Sequence, residues 1–146
     1  MNLRPLNIDP SKCFIAGVWV NPIGQEVLPL LNSSDGTTLC HIARGKSADI
    51  DAAVTAAETA LAGTWGKATA AERGRMLATI GRAVLAHVDE LAKLEAMDVG
   101  KPLAQARADV LALARYLEFY GGAADKVHGE TIPYLDGYTV YTLREP

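Results

Sequence analysis

The chain has 146 residues, of which 49% are hydrophobic and 21% charged, with a formal net charge of −3 at pH 7. That balance is close to the soluble globular average and offers no electrostatic attraction to nucleic acid or to an anionic membrane surface. Two cysteines, Cys13 and Cys40, are too few for a secreted disulfide framework.

The first twelve residues are polar, carry Pro5 and Pro10, and read as an N-terminal tail with no signal-peptide core behind it. With no apolar run long enough to span a bilayer, the expected location is the cytoplasm. Three β-type segments follow: Cys13–Val20, Glu26–Leu31 and Thr37–Ala43. They are separated by the turn sequences NPIGQ and NSSDG. This pattern predicts a hairpin plus a third strand, with Pro29 confining its strand to an edge because proline cannot donate to a ladder.

From residue 46 the period becomes helical. Ser47 is the expected cap of an Ala-rich helix that runs to Gly63, with Asp49 and Asp51 in its first turn. Thr69 and Glu72 have capping-box spacing. The helix behind them is expected to put Met76, Leu77, Ile80, Val84 and His87 on one face. A third helix runs from about Asp89 to Gly100. A fourth has Pro102 in its first turn and an apolar repeat of Leu103, Val110, Leu113, Leu117 and Tyr120 that weakens at Gly121-Gly122. After Pro133 comes a turn and a strand-like run, Tyr138–Leu143, which lies against the end of the sequence and is expected to have an unpaired edge that another chain or segment covers. The fold class is α+β and mostly α: N-terminal strands, four helices and a C-terminal strand.

The catalytic inventory is thin. Cys40 and His41 are neighbours in a strand and point to opposite faces, so they are ordinary strand residues before they are a nucleophile and base. His41, His87 and His128 have no metal-ligand spacing. Gly100-Lys101-Pro102 lacks the parts of a phosphate loop, and Gly121-Gly122 sits inside a helical pattern. Glu95 and Asp98, three apart on one helix face, are either a solvated acidic face or a carboxylate pair able to bind a cation or exchange protons. Ala104, Ala108 and Ala112 form a small-residue stripe suited first to close helix packing.

Several segments together carry a resemblance. They are FIAGVWV, ADIDAAVTAAETAL, the W-x-x-x-T-A-A-E-R-G-R-M-L run at Trp65–Leu77, the E-x-x-D-x-GKP segment at Glu95–Pro102, Y-x-G-x-A-D-K-x-H-G-x-x-I-P at Tyr120–Pro133, and YTLREP. Their succession from about Phe14 onward resembles the start of the NAD(P)-dependent aldehyde dehydrogenases.

The resemblance implies an N-terminal section of an enzyme that oxidises an aldehyde to a carboxylic acid with NAD or NADP. Its catalytic thiol, general-base Glu, oxyanion-hole Asn and Rossmann glycines would lie beyond Pro146, so no catalytic or cofactor-binding residue is assigned here and the piece is expected to be inactive by itself. Residues 13–134 would belong to the cofactor-binding domain and residues 135–146 would begin an oligomerisation arm. The partners implied are the remainder of the enzyme and a homo-oligomer formed through the C-terminal strand. Many relatives hold a K+ or Na+ ion, and the matching positions here are Leu30, Leu31 and Asp98. The positions matching the substrate tunnel are Ala108 and Ala112. The alternative is a non-catalytic helical interaction or assembly module of the same fold.

Overall fold

The computed structural model describes residues 9–145; most of the expected N-terminal tail and Pro146 lie outside them. The described residues form two compact units. One holds the chain up to Ala68 together with Asp89–Asp109; the other holds Thr69–Val88 together with the chain from Val110 onward.

In the first unit, the segment expected to be one strand is itself a hairpin. Strands β1 (Cys13–Ile15) and β2 (Val18–Val20) pair antiparallel, Ile15 opposite Val18. The two-residue connection puts both Ala16 (φ 51°) and Gly17 (φ 81°) in the left-handed region. A two-residue loop with positive φ at both positions matches the right-handed strand twist. Phe14 and Trp19, opposite one another, stack with ring centroids 5.0 Å apart.

A second hairpin joins β3 (Val27–Leu31) to β4 (Thr38–Ala43) through the expected NSSDG turn. That turn is fixed by its own side chains. Asn32 Oδ1 accepts from the Ser34 N–H at 3.0 Å, and Asp35 Oδ1 accepts from the Thr37 N–H at 2.9 Å. Pro29 stands in a two-stranded sheet, opposite His41, where it has no central-strand position to disrupt. The register shifts between Leu30 and Leu31, because β4 carries Leu39 as an extra residue between Cys40 and Thr38.

Helix α1 (Ser47–Ala62) begins one residue earlier than a Ser47 cap would require: Lys46 is the N-cap. The side chain that does the capping is Asp49, which accepts from the Lys46 N–H at 2.9 Å. A short helix that the sequence pattern did not predict, α2 (Thr64–Lys67), follows directly. Helix α4 (Val88–Val99) ends at Gly100, whose φ of 77° provides the left-handed stop. Helix α5 (Leu103–Ala123) starts one residue after Pro102, whose carbonyl accepts from the Ala106 N–H at 3.0 Å. In this unit Ala92 of α4 and Ala106 of α5 are 1% and 0% exposed.

The second unit contains α3 (Ala70–Ala86), capped by Thr69. The Thr69 side chain accepts from the Glu72 N–H while Glu72 accepts from the Thr69 N–H, the reciprocal box its spacing predicts. Its buried residues are Gly74 and Gly81, whereas Met76 and Ile80 are exposed. Of the expected stripe, Leu77 and Val84 are half-buried, with Leu77 beside Gly121, so the face is met in part and its closest packing runs through the glycines. His87, expected on that face, is instead the exposed C-cap residue, its N–H bonded to the Val84 carbonyl. On α5 the buried positions are Ala106, Val110 and Ala114, while Leu103, Leu113 and Tyr120 are exposed. The helices meet through glycine: a Cβ on Gly74 would lie 2.3 Å from the Gly121 carbonyl oxygen, and one on Gly81 would lie 3.1 Å from that of Ala114. Only the absence of a side chain permits so close an approach.

The C-terminal strand is not unpartnered. Residues Val140–Tyr141 form β6, which pairs antiparallel with β5 (Thr131–Ile132) of the same chain. The expectation of an uncovered strand is corrected on this side. The ribbon is two strands wide, so its outer edges carry no third strand among the described residues. The Thr142 N–H donates to the Glu130 carbonyl and the Glu130 N–H to Thr142 Oγ1, extending the pairing by one residue.

Candidate functional site

Two regions hold the residues singled out from the sequence. The first is where β3 meets the end of α4, both within the first unit. The chain leaves β3 at Leu31, and two residues later Ser33 turns toward the C-terminal end of α4. The Ser33 N–H donates to the Met97 carbonyl at 3.4 Å and its hydroxyl donates to the Asp98 carbonyl. A Cβ on Gly100 would lie 2.9 Å from the Cβ of Ser33, so the approach also depends on glycine at that position. The last carbonyls of a helix lack intrahelical donors and carry its negative dipole end. Here one strand end supplies donors to two of them. Ser33 was not singled out in the sequence. Its signal is only that a hydroxyl-bearing residue stands in a turn directly after the β3 strand.

Glu95 and Asp98 do not act as an isolated carboxylate pair. Lys101 Nζ lies 2.6 Å from Glu95 and 2.8 Å from Asp109, so one ammonium joins the end of α4 to the first turns of α5. Those two carboxylates hold the Lys101 ammonium above the ordinary lysine range, Asp109 more strongly than Glu95. The Lys of the GKP segment is thus a clamp across a helical hairpin. A second ion pair, Arg107 with Asp89 at 3.1 Å, joins the same two helices. Among the described residues, no three His, Cys, Asp or Glu side chains gather as a metal-binding group.

The second region is α5. Ala104, Ala108 and Ala112 are all exposed, so this stripe is not the packing face the sequence favoured; the buried small residues are Ala106 and Ala114, offset by two. Within the second unit, α3 and α5 border an open groove of about 600 Å³ floored by Ala78, Gly81 and Ala114, with Arg82, Arg115 and Glu118 around it. Ala112 does not line it. The aromatic residues Phe119 and Tyr120 on the same helix are 66% and 61% exposed and stack edge-on, centroids 5.3 Å apart.

Residues 19–146 match the model of the aldehyde dehydrogenase family. The chain belongs to the aldehyde dehydrogenase family. It is 39% identical over 143 residues to the Arabidopsis thaliana mitochondrial aldehyde dehydrogenase family 2 member B4, a match covering 97% of this chain and 27% of that protein. A solved structure from Burkholderia cenocepacia, provisionally named an aldehyde dehydrogenase, is 58% identical with a TM-score of 0.88. It covers 92% of this chain and 28% of its own. A point variant of Staphylococcus aureus betaine aldehyde dehydrogenase, solved in complex with NAD+, is 28% identical with a TM-score of 0.80, covering 86% of this chain and 26% of its own. The chain therefore spans 27% of the length of the curated aldehyde dehydrogenase it matches. As in that part of the family fold, it is mostly helical with a few short strands. No helix among the described residues is long and apolar enough to cross a membrane.

Proposed function

We propose that this chain is the N-terminal section of an enzyme that oxidises an aldehyde to a carboxylic acid with NAD(P)+, and that it provides scaffold rather than chemistry. The observation that carries this reading is the match of nearly the whole chain to just over a quarter of an aldehyde dehydrogenase structure at a TM-score of 0.88. The surface supports it. Large apolar side chains such as Leu113, Tyr116, Phe119 and Leu143 are exposed, and further parts of the enzyme would cover them in this reading. In this reading residues 13–134 form part of the cofactor-binding domain. Residues 135–146 begin an arm whose strand β6, paired with β5 of the preceding section, leaves an open edge to further strands of the same enzyme and of a second subunit. NAD or NADP would accept hydride in a site completed by other residues. The two free cysteines suit a reducing compartment, the cytoplasm in this proposal.

The purified 146-residue chain is expected to give no NAD(P)+-dependent oxidation of any aldehyde. Turnover by that material would overturn the reading.

The carbonyls of Leu30 and Leu31 and the Asp98 side chain are proposed to hold K+ or Na+. Oxygen donors suit a hard cation. The ladder irregularity at Leu30/Leu31 supports the reading, because a bulge releases backbone groups from pairing, and Ser33 brings this strand end to the carbonyls of Met97 and Asp98. Crystals soaked in thallium or rubidium should show anomalous density beside Asp98; a fully soaked crystal with none there would count against the site. Ala108 and Ala112 are proposed to border the substrate tunnel, which their small, exposed side chains would leave wide.

A further inference from the structure

Asp49 is the buried charged residue of the described chain, 4% exposed, and both of its oxygens are used. Its Oδ2 accepts the Lys46 N–H at the start of α1, and its Oδ1 accepts the Ile23 N–H at 2.9 Å, reaching back 26 positions to the turn after β2. One carboxylate thus caps a helix and fastens a distant turn to it.

The rest of that seam is also held by charge. Lys46 Nζ donates to Glu26, Arg44 Nη1 lies 3.5 Å from the other Glu26 oxygen, and the Arg44 N–H donates to the Glu26 carbonyl at 2.9 Å. The Lys46 side chain lies over Gly24, whose missing Cβ would be 3.5 Å from Nζ. The charged group beside Asp49 is therefore Lys46 in its own capping turn, with Glu26 and Arg44 one step away through Lys46, and the Cys13 thiol of β1 lies with the Asp49 side chain against Gly45. Asp51 follows in the same helix. By contrast, β3 and β4 are joined by backbone pairing, which does not titrate between acidic and neutral pH.

We propose that Asp49 is the pin of an acid-releasable clasp: its ionised carboxylate fastens the Pro22–Gln25 turn to the first turn of α1, and protonation frees that turn while the β3–β4 hairpin stays paired. Bonds from an N–H to an ionised carboxylate are about twice as strong as neutral ones, and a protonated carboxyl gives up acceptor capacity to become a donor. The Lys46 and Ile23 amides hold the Asp49 carboxyl below the ordinary aspartate value of 3.8. The Lys46 ammonium likewise lowers Glu26. A carboxyl lowered in the folded state contributes stability that is complete above its unfolded value and disappears as pH falls through its folded value. The clasp is therefore shut at neutral pH and opens in acid.

The test is an acid titration of the 146-residue chain followed by amide NMR. The Ile23 and Lys46 amide protons should shift together with a single midpoint below 3.8, while β3–β4 amides keep their dispersion through it. In Asp49→Asn that shared titration should vanish and hydrogen exchange at Ile23 and Lys46 should rise by about tenfold or more at neutral pH. In Asp51→Asn both should stay as in the parent. Different midpoints for the two amides, a titration surviving Asp49→Asn, or loss of β3–β4 dispersion at the same midpoint would each overturn the proposal. Undispersed Ile23 and Lys46 signals in the parent at neutral pH would overturn it too.

Discussion

Ala16 stands where a left-handed backbone is required, at φ 51°. A residue with a Cβ pays roughly 1–2 kcal/mol for that conformation, a cost glycine does not pay and asparagine partly escapes. Ala16→Gly or Ala16→Asn is expected to stabilise the β1–β2 hairpin, read as a higher urea midpoint. This is also why the hairpin was illegible: Ala-Gly between two apolar triplets looks like continuing strand, not a turn. Thr69 is the opposite case. Its T-x-x-E spacing could be read directly, and both reciprocal bonds are present. Thr69→Ala should cost about 1 kcal/mol of stability in denaturant unfolding. The Thr69 amide and hydroxyl lower the Glu72 carboxyl, so the box contributes fully above the ordinary glutamate range and fades as acid protonates Glu72. The α1 cap was read one residue late because the sequence shows which side chains can cap but not which carboxylate is aimed. Asp49, not Ser47, faces the free amides.

At the scale of elements, helix existence and order were legible because 3.6-residue periodicity and caps are local. Which face packs was legible only in part. On α3 the bulky residues Met76 and Ile80 are exposed, while Gly74 and Gly81 are buried against α5. Hydrophobic patterning ranks side chains by size, and it cannot see that two backbones approach most closely where side chains are missing. Gly74→Ala should therefore destabilise the second unit by about 1–3 kcal/mol, because its Cβ would meet a backbone oxygen that cannot swing away. Gly122→Ala, one position from the crossing, meets nothing within 4 Å. It should be neutral or stabilising by up to about 1 kcal/mol through helix propensity. Thermal unfolding of the pair separates close packing from a general dislike of substitution in α5. The same limit applies to β6. Its alternation was legible, but its partner Thr131–Ile132 is only two residues long and carries no pattern of its own. At the candidate cation position, Asp98 could be named from the E-x-x-D-x-GKP segment. The Ser33 donors that bring the β3 end beside it could not, since nothing local links residues 65 positions apart.

For the whole molecule, family membership was the most legible property, because it is spread over several spaced segments and does not depend on any one side-chain direction. The proposed scaffold role rests on extent: the chain spans 27% of a curated relative, and the resemblance would put the reacting groups in the rest. In the proposed function these helices and the terminal ribbon are structural parts of a larger aldehyde-oxidising body. The most direct measurement is a graft in which this chain replaces the matching section of the Arabidopsis thaliana enzyme, followed by assay of NAD(P)+-dependent aldehyde oxidation beside the chain alone. The expected result is a folded chimaera that turns over aldehyde and an isolated chain that does not. A chimaera that folds without activity, or turnover by the isolated chain, would contradict it.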